Sequence, residues 1–286
     1  WQRARPDVGY IATEGPLGWS ALGLARHLGL PVISGFHTNF DHYSSYYRLG
    51  WLRGLVAAYL RNFHNRSTVT LVPTAEVVQR LQTVGFQRLR LMPRGVDTQL
   101  FHPEQRCVNL RRTWGAEDQT LVLLYAGRLA AEKNLPLVQQ SYEVIRRHYP
   151  DCRLVMVGDG PLLASWRYLY PEVHYCGMQR GVALARHYAS ADLFLFPSLT
   201  ETFGNVTLEA MASGLAVLAY DYAAAHAHIR SGISGVTVTP GDAGAYLTAA
   251  QQLVSHGLAP IHQMGRAARS QIETVGDVRR HRVGCD

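Results

Sequence analysis

Short apolar runs alternate along most of the chain with segments of helical period, and this alternation restricts the fold more than any other feature. Runs such as Leu121–Ala126 and Leu193–Phe196 have the length of strands and are rich in Leu, Val and aromatic residues. Segments such as Leu135–Arg147 space their apolar residues as an amphipathic helix does. Strands that alternate with helices build βαβ units and parallel sheets. The sequence therefore predicts an α/β fold.

The predicted strands are short and apolar, and the predicted helices have an apolar residue every three to four positions. The strands are Val8–Ala12, Pro31–Phe36, Thr68–Val72, Arg88–Met92, Leu121–Ala126, Arg153–Val157, Val173–Tyr175, Leu193–Phe196, Ala216–Ala219 and Val236–Val238. The helices lie at about Leu17–Leu28, Tyr43–Asn62, Ala75–Val84, Leu135–Arg147, Leu162–Tyr168, Val182–Ala189, Val206–Ala212, Ala223–Ile229 and Ala243–Val254.

The length of 286 residues predicts two domains. The stretch Gly95–Pro103 interrupts the alternation and is followed by a polar helix and a new strand, so we place the domain boundary there. The predicted domains are residues 1–100, which is short for a doubly wound domain and is expected to be incomplete, and residues 101–286. The tail Thr274–Asp286 has no clear apolar face and is expected to lie outside the fold.

Composition and charge narrow the class of protein. Hydrophobic residues make up 47% and charged residues 17% of the chain, which excludes charge-driven disorder. An excess of 28 Lys and Arg over 21 Asp and Glu gives a net charge of +7, which favours an anionic partner such as a phosphate ligand or a lipid surface. The sequence contains no nucleic-acid-binding signature, so nucleic acid is not an expected partner.

Cysteine usage and hydropathy indicate the compartment. The four cysteines form no C-x-x-C pair, so neither a zinc site nor a disulfide framework is predicted. No run reaches the ~18 apolar residues of a membrane span, and the N-terminus lacks the pattern of a signal peptide. We therefore expect a cytoplasmic protein.

The segment Ser198–Gly214 carries the strongest functional signal. It follows a predicted strand, and ligands bind at the carboxyl ends of strands in open α/β sheets. Gly204 and Asn205 open a short helix whose first amides can hold a phosphate. Glu201 precedes this helix and Glu209 lies one turn inside it, so the two carboxylates are expected to reach different parts of one ligand. Two solvated surface glutamates are the alternative.

A second segment, Gly127–Asn134, also follows a predicted strand. It places Arg128 and Lys133 around a turn, where a fork-shaped and a point-like cation suit the two charges of a diphosphate. A solvated Arg and Lys near a helix start are the alternative.

The third cluster is Gly35–Phe40, at the end of a strand in the first domain. His37 is a candidate to contact a phosphate or a sugar hydroxyl, and a structural histidine is the alternative. The chain contains neither a G-x-G-x-x-G fingerprint nor a P-loop, and it has no D-x-D pair to hold a divalent metal ion.

Aromatic and basic residues are interleaved over Tyr43–Arg66. This pattern is typical of a helix that lies on an anionic membrane surface, with an ordinary amphipathic helix packed on the sheet as the alternative. A peripheral position on the inner face of the plasma membrane is therefore an open prediction.

Taken together and in this order, the motifs resemble those of retaining GT-B glycosyltransferases of family GT4. The matching segments are Thr13–Ala21, Gly35–Phe40, Pro93–Pro103, Gly127–Asn134, Val157–Pro161 and Phe196–Gly214. Within the family, Gly35–Tyr43 and Ala219–Ile229 resemble bacterial GDP-mannose-dependent α-mannosyltransferases. The resemblance implies a GT-B fold, in which two Rossmann-like doubly wound domains face a cleft, with the acceptor side in the first domain and the donor side in the second.

The resemblance also implies roles for matched residues. Catalytic roles fall to His37, near the reacting carbon, and to Glu201, on hydroxyls of the transferred sugar. Glu209 would hold the ribose. The donor diphosphate would be bound by Arg128, Lys133, Gly95 and the backbone of Phe203, Gly204, Asn205 and Val206, and the base would lie at the loop that contains Met178.

The implied reaction transfers a hexose, mannose by preference, from GDP-mannose to a lipid or glycan hydroxyl, with no metal and no cofactor. The alternatives are a UDP-sugar-dependent transferase of the same family, another GT-B enzyme such as a sugar-nucleotide epimerase, and a non-catalytic nucleotide-sugar-binding module. The family's first strand and Gly-rich loop have no counterpart in the sequence, so an inactive fragment is a further alternative.

Overall fold

All strand pairs in the part of the chain that the structure describes are parallel, as the alternation of strands and helices predicts. The computed structural model describes residues 1, 4–37, 53–92, 94–201 and 203–275. They form two α/β units, and the chain passes from one to the other at Arg94–Gly95. The first unit contains Trp1–Arg94 together with the short segment Thr200–Phe203. Gly95–Leu199 and the chain from Gly204 onward form the second.

The first unit is built on a four-stranded sheet whose strands follow chain order, β1-β2-β3-β4. The strands are β1 (Gly9–Ile11), β2 (Val32–Gly35), β3 (Val69–Val72) and β4 (Leu89–Leu91). The helices are α1 (Pro16–His27), α2 (Arg53–His64) and α3 (Ala75–Thr83). Side chains from strands and helices form two buried clusters, one around Leu22 and Phe63 and the other around Phe36 and Val72.

The second unit is built on a six-stranded sheet in the order β10-β9-β8-β5-β6-β7. Its strands are β5 (Leu121–Ala126), β6 (Cys152–Val157), β7 (His174–Gly177), β8 (Leu193–Phe196), β9 (Ala216–Tyr220) and β10 (Val236–Val238). Its helices are α4 (Val108–Thr113), α5 (Leu135–His148), α6 (Leu163–Leu169), α7 (Gly181–Ala189), α8 (Asn205–Ala212), α9 (Ala223–His228), α10 (Ala243–Val254) and α11 (Leu258–Val275). Strand order reverses between β5 and β8.

The reversal of strand order predicts where a ligand binds on this sheet. From β5 the chain builds β6 and β7 on one side, and from β8 it builds β9 and β10 on the other. Every residue of β5, β8 and β9 is buried, as expected for central strands with both faces covered. The loops after β5 and β8 therefore leave in opposite directions, which opens a crevice at the carboxyl ends of these strands.

The second predicted helix is confirmed over its described residues, 53–62, and ends slightly later than predicted. A helix was predicted over Tyr43–Asn62, and the structure shows α2 over Arg53–His64. Residues 43–52 lie outside the described part of the chain. The helix continues past Asn62 because Phe63 and His64 are fully buried, and His64 forms a hydrogen bond to Ser34 of β2.

The last helix was missed. No helix was predicted for the segment of α11, which contains Pro260 and Gly265, and Thr274 was assigned to a tail outside the fold. The structure shows one helix that reaches Val275, because Ile261 and Ile272 pack into the core of the second unit. Residues 276–286 lie outside the described part. Within the described ranges, no helix combines the length and apolarity needed to span a bilayer.

A buried carboxylate at the amino end of β8 joins the elements around the central strands. Asp192 Oδ1 accepts hydrogen bonds from Arg106 (3.0 Å) and His262 (3.1 Å), and its Oδ2 accepts from Arg111 (3.1 Å) and the Val122 amide (2.9 Å). Burial alone would raise the pKa of Asp192, but the hydrogen bond from His262 and the two guanidinium groups outweigh it and hold the pKa below its ordinary value. The carboxylate is therefore charged at neutral pH.

We expect Asp192→Ala to lower the free energy of unfolding of the second unit by about 3–5 kcal/mol, because it leaves the buried Arg111 without its counter-charge. Urea unfolding followed by circular dichroism measures this loss. The lowered pKa makes the carboxylate stabilising above its unfolded pKa of 3.8, and this stabilisation is lost as the pH falls.

The matched control is Asp118→Ala, which removes an exposed carboxylate from the same unit and should change stability by no more than about 0.5 kcal/mol. Equal unfolding midpoints for the two variants would contradict a central role for Asp192.

Candidate functional site

The loops that follow β5 and β8 lie side by side. The Leu199 amide, after β8, donates a hydrogen bond to the Glu132 carbonyl, after β5, at 3.1 Å. The Tyr125 hydroxyl donates to the Arg128 carbonyl at 2.9 Å and fixes the start of the first loop. These contacts hold the segment Gly127–Asn134, here called the cationic turn, beside the end of β8, in the crevice between the two central strands.

The two predicted cations occupy different environments. The Lys133 ammonium lies 5.8 Å from the ring centroid of Phe196, the last residue of β8, in a cation–π contact. The Arg128 guanidinium is 53% exposed and forms an ion pair with Glu132 at 2.7 Å. Sequence reasoning missed this pair, although the two residues are four positions apart. Any anion that binds the Arg128 guanidinium would have to compete with Glu132.

The Val157–Pro161 motif contacts the backbone of the cationic turn. The Asp159 carbonyl accepts a hydrogen bond from the Leu129 amide at 2.9 Å. Gly158 has φ +138°, and a Cβ there would lie 1.9 Å from the Gly127 carbonyl oxygen. Only glycine allows this approach, so the motif serves to dock one loop backbone on another.

The start of α8 has no side-chain cap among the described residues. Gly204 precedes the helix in the left-handed conformation, with φ 88°, and no side chain caps the first turn. Asn205 is exposed and Val206 is half-buried. Uncapped amides at the positive end of a helix dipole attract anions, and phosphate binding by this segment stays a prediction.

The two glutamates are separated as the sequence predicts. Glu201 lies in the loop before α8 and is half-buried, and the neighbouring Phe203 is 3% exposed. Glu209 lies inside α8, where burial raises its pKa and the adjacent Tyr188 hydroxyl acts in the opposite direction. That hydroxyl is fully buried and, among the described residues, forms no hydrogen bond of ordinary geometry. Tyr188 was not identified from the sequence.

Two further predicted residues lie at the margins of the second unit. Met178 follows β7, the edge strand, and its side chain is 59% exposed. Gly95 is half-buried and is the first residue of the unit.

His37 belongs to the first unit and follows β2. Its Nδ1 lies 2.8 Å from an Arg94 guanidinium nitrogen, and its Nε2 lies 3.1 Å from the Tyr10 hydroxyl. Burial and the Arg94 charge lower the pKa of His37, while Glu14 acts to raise it. Neither Arg94 nor Tyr10 was singled out from the sequence, although Arg94 lies in the Pro93–Pro103 motif.

Among the described residues, no three His, Cys, Asp or Glu side chains gather in a way that could hold a metal ion.

The comparison with known families covers both units. Residues 1–100 match the model described as "Glycosyltransferase Family 4", and residues 120–256 match the model described as "Glycosyl transferases group 1". A GDP-mannose-dependent alpha-mannosyltransferase of Mycolicibacterium smegmatis is 33% identical over 267 residues, which cover 93% of this chain and 69% of the relative. The chain belongs to glycosyltransferase family 4.

A second relative is the sulfoquinovosyl transferase SQD2 of Arabidopsis thaliana. It is 31% identical over 281 residues, which cover 95% of this chain and 54% of the relative. The chain thus spans between about half and somewhat more than two thirds of the length of these two curated relatives.

Solved structures establish the fold of this family 4 chain. The crystal structure of Anabaena HepE in complex with UDP and glucose matches with a TM-score of 0.80 and 18% identity, over 96% of this chain and 75% of that one. The two Rossmann-like units are those of the GT-B fold, which confirms the predicted fold class.

Proposed function

We propose that this chain carries the machinery of a retaining hexosyltransferase that moves mannose from GDP-mannose to a hydroxyl of a lipid or glycan acceptor, without a metal ion. The observation that supports this proposal best is the crevice between β5 and β8. There, the Arg128–Lys133 turn and the uncapped start of α8 follow neighbouring strands of one sheet. Two cations and a helix amino terminus match the charge of a diphosphate.

In this proposal the diphosphate is bound by Lys133, by Arg128 after it leaves Glu132, and by the amides of the 203–206 segment. Gly95 lines the phosphates without a side chain. Glu209 accepts hydrogen bonds from the ribose hydroxyls. The base lies against the loop of Met178, whose exposed thioether offers an apolar contact.

For the transfer step we propose that Glu201 holds hydroxyls of the transferred sugar and that His37 lies on the sugar side. The glycosidic carbon–oxygen bond to the diphosphate breaks as the acceptor oxygen bonds to the same face of the carbon. The departing diphosphate oxygen takes the acceptor proton. The cations that bind the diphosphate stabilise the charge that develops on it, so no metal is required.

GDP and mannose are the first choice because Gly35–Tyr43 and Ala219–Ile229 resemble GDP-mannose-dependent α-mannosyltransferases, and the Mycolicibacterium relative is such an enzyme. A UDP-sugar is the second candidate, because the Anabaena structure of the same fold contains UDP and glucose.

Calorimetric titration with GDP, GDP-mannose, UDP and UDP-glucose in the presence of EDTA tests the donor site. We expect one nucleotide series to bind, and Arg128→Ala or Lys133→Ala to weaken it about 10- to 100-fold through loss of a charged hydrogen bond. Glu132→Gln should strengthen binding several-fold, since the ligand no longer competes with this carboxylate for Arg128.

Arg112→Ala is the matched control, because it removes an exposed arginine from α4 of the same unit. Equal losses in Arg112→Ala and Arg128→Ala, or binding that EDTA abolishes, would contradict the proposed site.

We also propose that the acceptor is presented at an anionic membrane surface on the cytoplasmic side, and that α2 contacts it. Leu55 is 66% exposed and Tyr59 is 45% exposed on this helix. The exposed Arg61 also lies on it, although one guanidinium nitrogen donates to the Val84 carbonyl at 3.0 Å. An apolar face with basic neighbours is typical of an interfacial helix.

Co-sedimentation with phosphatidylglycerol vesicles tests the surface. Leu55→Asn should weaken binding about tenfold, because burial of a leucine in the interface is lost. Leu169→Asn, which changes a leucine that is 60% exposed on α6, should have no effect. Failure of the unaltered chain to sediment, or equal effects of the two variants, would exclude this surface.

A further inference from the structure

A cavity of about 380 Å³ lies at the amino end of β8, at the opposite end of this strand from the candidate donor site. Its lining includes Arg106, Asp192, His262, Arg266 and Arg269, which all belong to the second unit. A volume of this size lies in the range of small-molecule sites. The transfer chemistry proposed above uses none of these side chains.

Positive charge exceeds negative charge around this cavity. Arg106 and Arg111 share the single carboxylate of Asp192, so one of the two guanidinium charges is not neutralised. Arg266 is exposed, and among the described residues it forms no ion pair and no hydrogen bond. Two positive charges are therefore available to a ligand. The Asp192 side chain is only 1% exposed and its oxygens are occupied by donors, so it opposes an anion weakly.

Two arginines of the wall are held in place by carbonyl groups at helix ends. Arg106 donates to the carbonyl of Ala189, the last residue of α7, at 3.2 Å. Arg269 donates to the carbonyl of Ala212, the last residue of α8, at 2.8 Å, and it pairs with Glu273 at 2.8 Å. Carbonyls at the negative end of a helix dipole repel an anion. Because these donors occupy them, that repulsion is reduced.

Helix α11 presents its basic side chains to the cavity on one face. His262, Arg266 and Arg269 are separated by four and three positions, which places them on one side of a helix. A Cβ at Gly265 would lie 2.0 Å from the Gly214 carbonyl oxygen, so only glycine lets α11 approach the end of α8 this closely. The position of the wall that carries Arg266 is therefore fixed by backbone packing.

A buried hydroxyl in the wall of the cavity lacks a partner. Ser213 is 3% exposed, and among the described residues its Oγ forms no hydrogen bond. A buried hydroxyl without a partner is unfavourable, and the oxygens of a ligand in the cavity can supply one.

We propose that this cavity binds a small soluble molecule through a phosphate monoester group, which Arg266 contacts directly. Such a group carries a charge of about −1.5 to −2 at neutral pH, which matches the two available positive charges. The planar fork of a guanidinium donates two parallel hydrogen bonds to phosphate oxygens. Pro103 and Ala189 offer apolar contacts to the carbon skeleton of the ligand. This inference goes beyond the proposed function and does not depend on it.

Calorimetric titration of the full chain with glycerol 3-phosphate tests the cavity. We expect binding that Arg266→Ala weakens about tenfold or more, because a charged hydrogen bond is lost. Arg266→Lys should weaken it less, since the charge remains without the fork. No binding of glycerol 3-phosphate by the unaltered chain, or equal affinities of Arg266→Ala and the unaltered chain, would overturn the proposal.

Urea unfolding without ligand checks that Arg266→Ala leaves the fold intact. The unfolding midpoint should equal that of the unaltered chain, because Arg266 has no ion pair or hydrogen bond to lose among the described residues. With glycerol 3-phosphate present, the midpoint should rise in the unaltered chain and not in Arg266→Ala, since a ligand stabilises only the state that binds it. Equal increases in both would overturn the proposal.

Two control variants separate this cavity from other cationic groups of the second unit. Arg147→Ala removes an arginine of α5 that is also exposed and, in the described part of the chain, also without an ion pair or hydrogen bond. It should leave binding unchanged, and so should Arg128→Ala. A loss in Arg128→Ala equal to that in Arg266→Ala would assign the probe to the donor site and overturn the proposal. Because the probe contains no nucleotide, a failure of GDP to bind leaves this test intact.

A phosphate monoester is also the headgroup of phosphatidic acid, so vesicles that contain this lipid distinguish the two sources. We expect Arg266→Ala and the unaltered chain to sediment equally with them. Sedimentation that Arg266→Ala abolishes, without binding of glycerol 3-phosphate, would overturn the soluble ligand in favour of a lipid headgroup.

Discussion

The ionised carboxylate of Asp192 is the constraint on which the second unit depends. It lies at the amino end of β8, opposite the candidate site, and it positions that strand in the sheet. By accepting from the Val122 amide of β5 and from Arg111 of α4, it fixes β8 against β5. His262 brings α11 to the same point. The reversal of strand order opens the crevice at the carboxyl ends of these strands, and the contacts of Asp192 support their pairing at the amino ends.

The helix start and the arginine at that crevice are both able to bind an anion. The first turn of α8 has amides without a side-chain cap, which costs stability in the absence of a ligand. Arg128 pairs with the half-buried Glu132, but the arginine itself is exposed and can exchange this partner for another anion. A diphosphate can therefore replace the Glu132 contact and satisfy the helix amides in one step, which links the local structure to the proposed transfer chemistry.

Much of the fold could be predicted because strand composition and position agree. Leu121–Ala126 and Leu193–Phe196 are strands with the predicted bounds, since each is a short run buried on both faces. The helix α11 was missed because Pro260 and Gly265 interrupt its apolar period, while tertiary packing of Ile261 and Ile272 outweighs that weak propensity. The contacts of His37 were not predictable, because Tyr10 and Arg94 lie 27 and 57 residues away along the chain.

The central claim is that a nucleotide diphosphate binds where β5 and β8 end. The crystal structure of the chain soaked with GDP, without added metal, tests it most directly. The account predicts density for the diphosphate within hydrogen-bonding distance of Lys133 and of the amides that open α8, with Arg128 turned away from Glu132. Density for the diphosphate elsewhere on the second unit, or a diphosphate bound only through a metal ion, would contradict it.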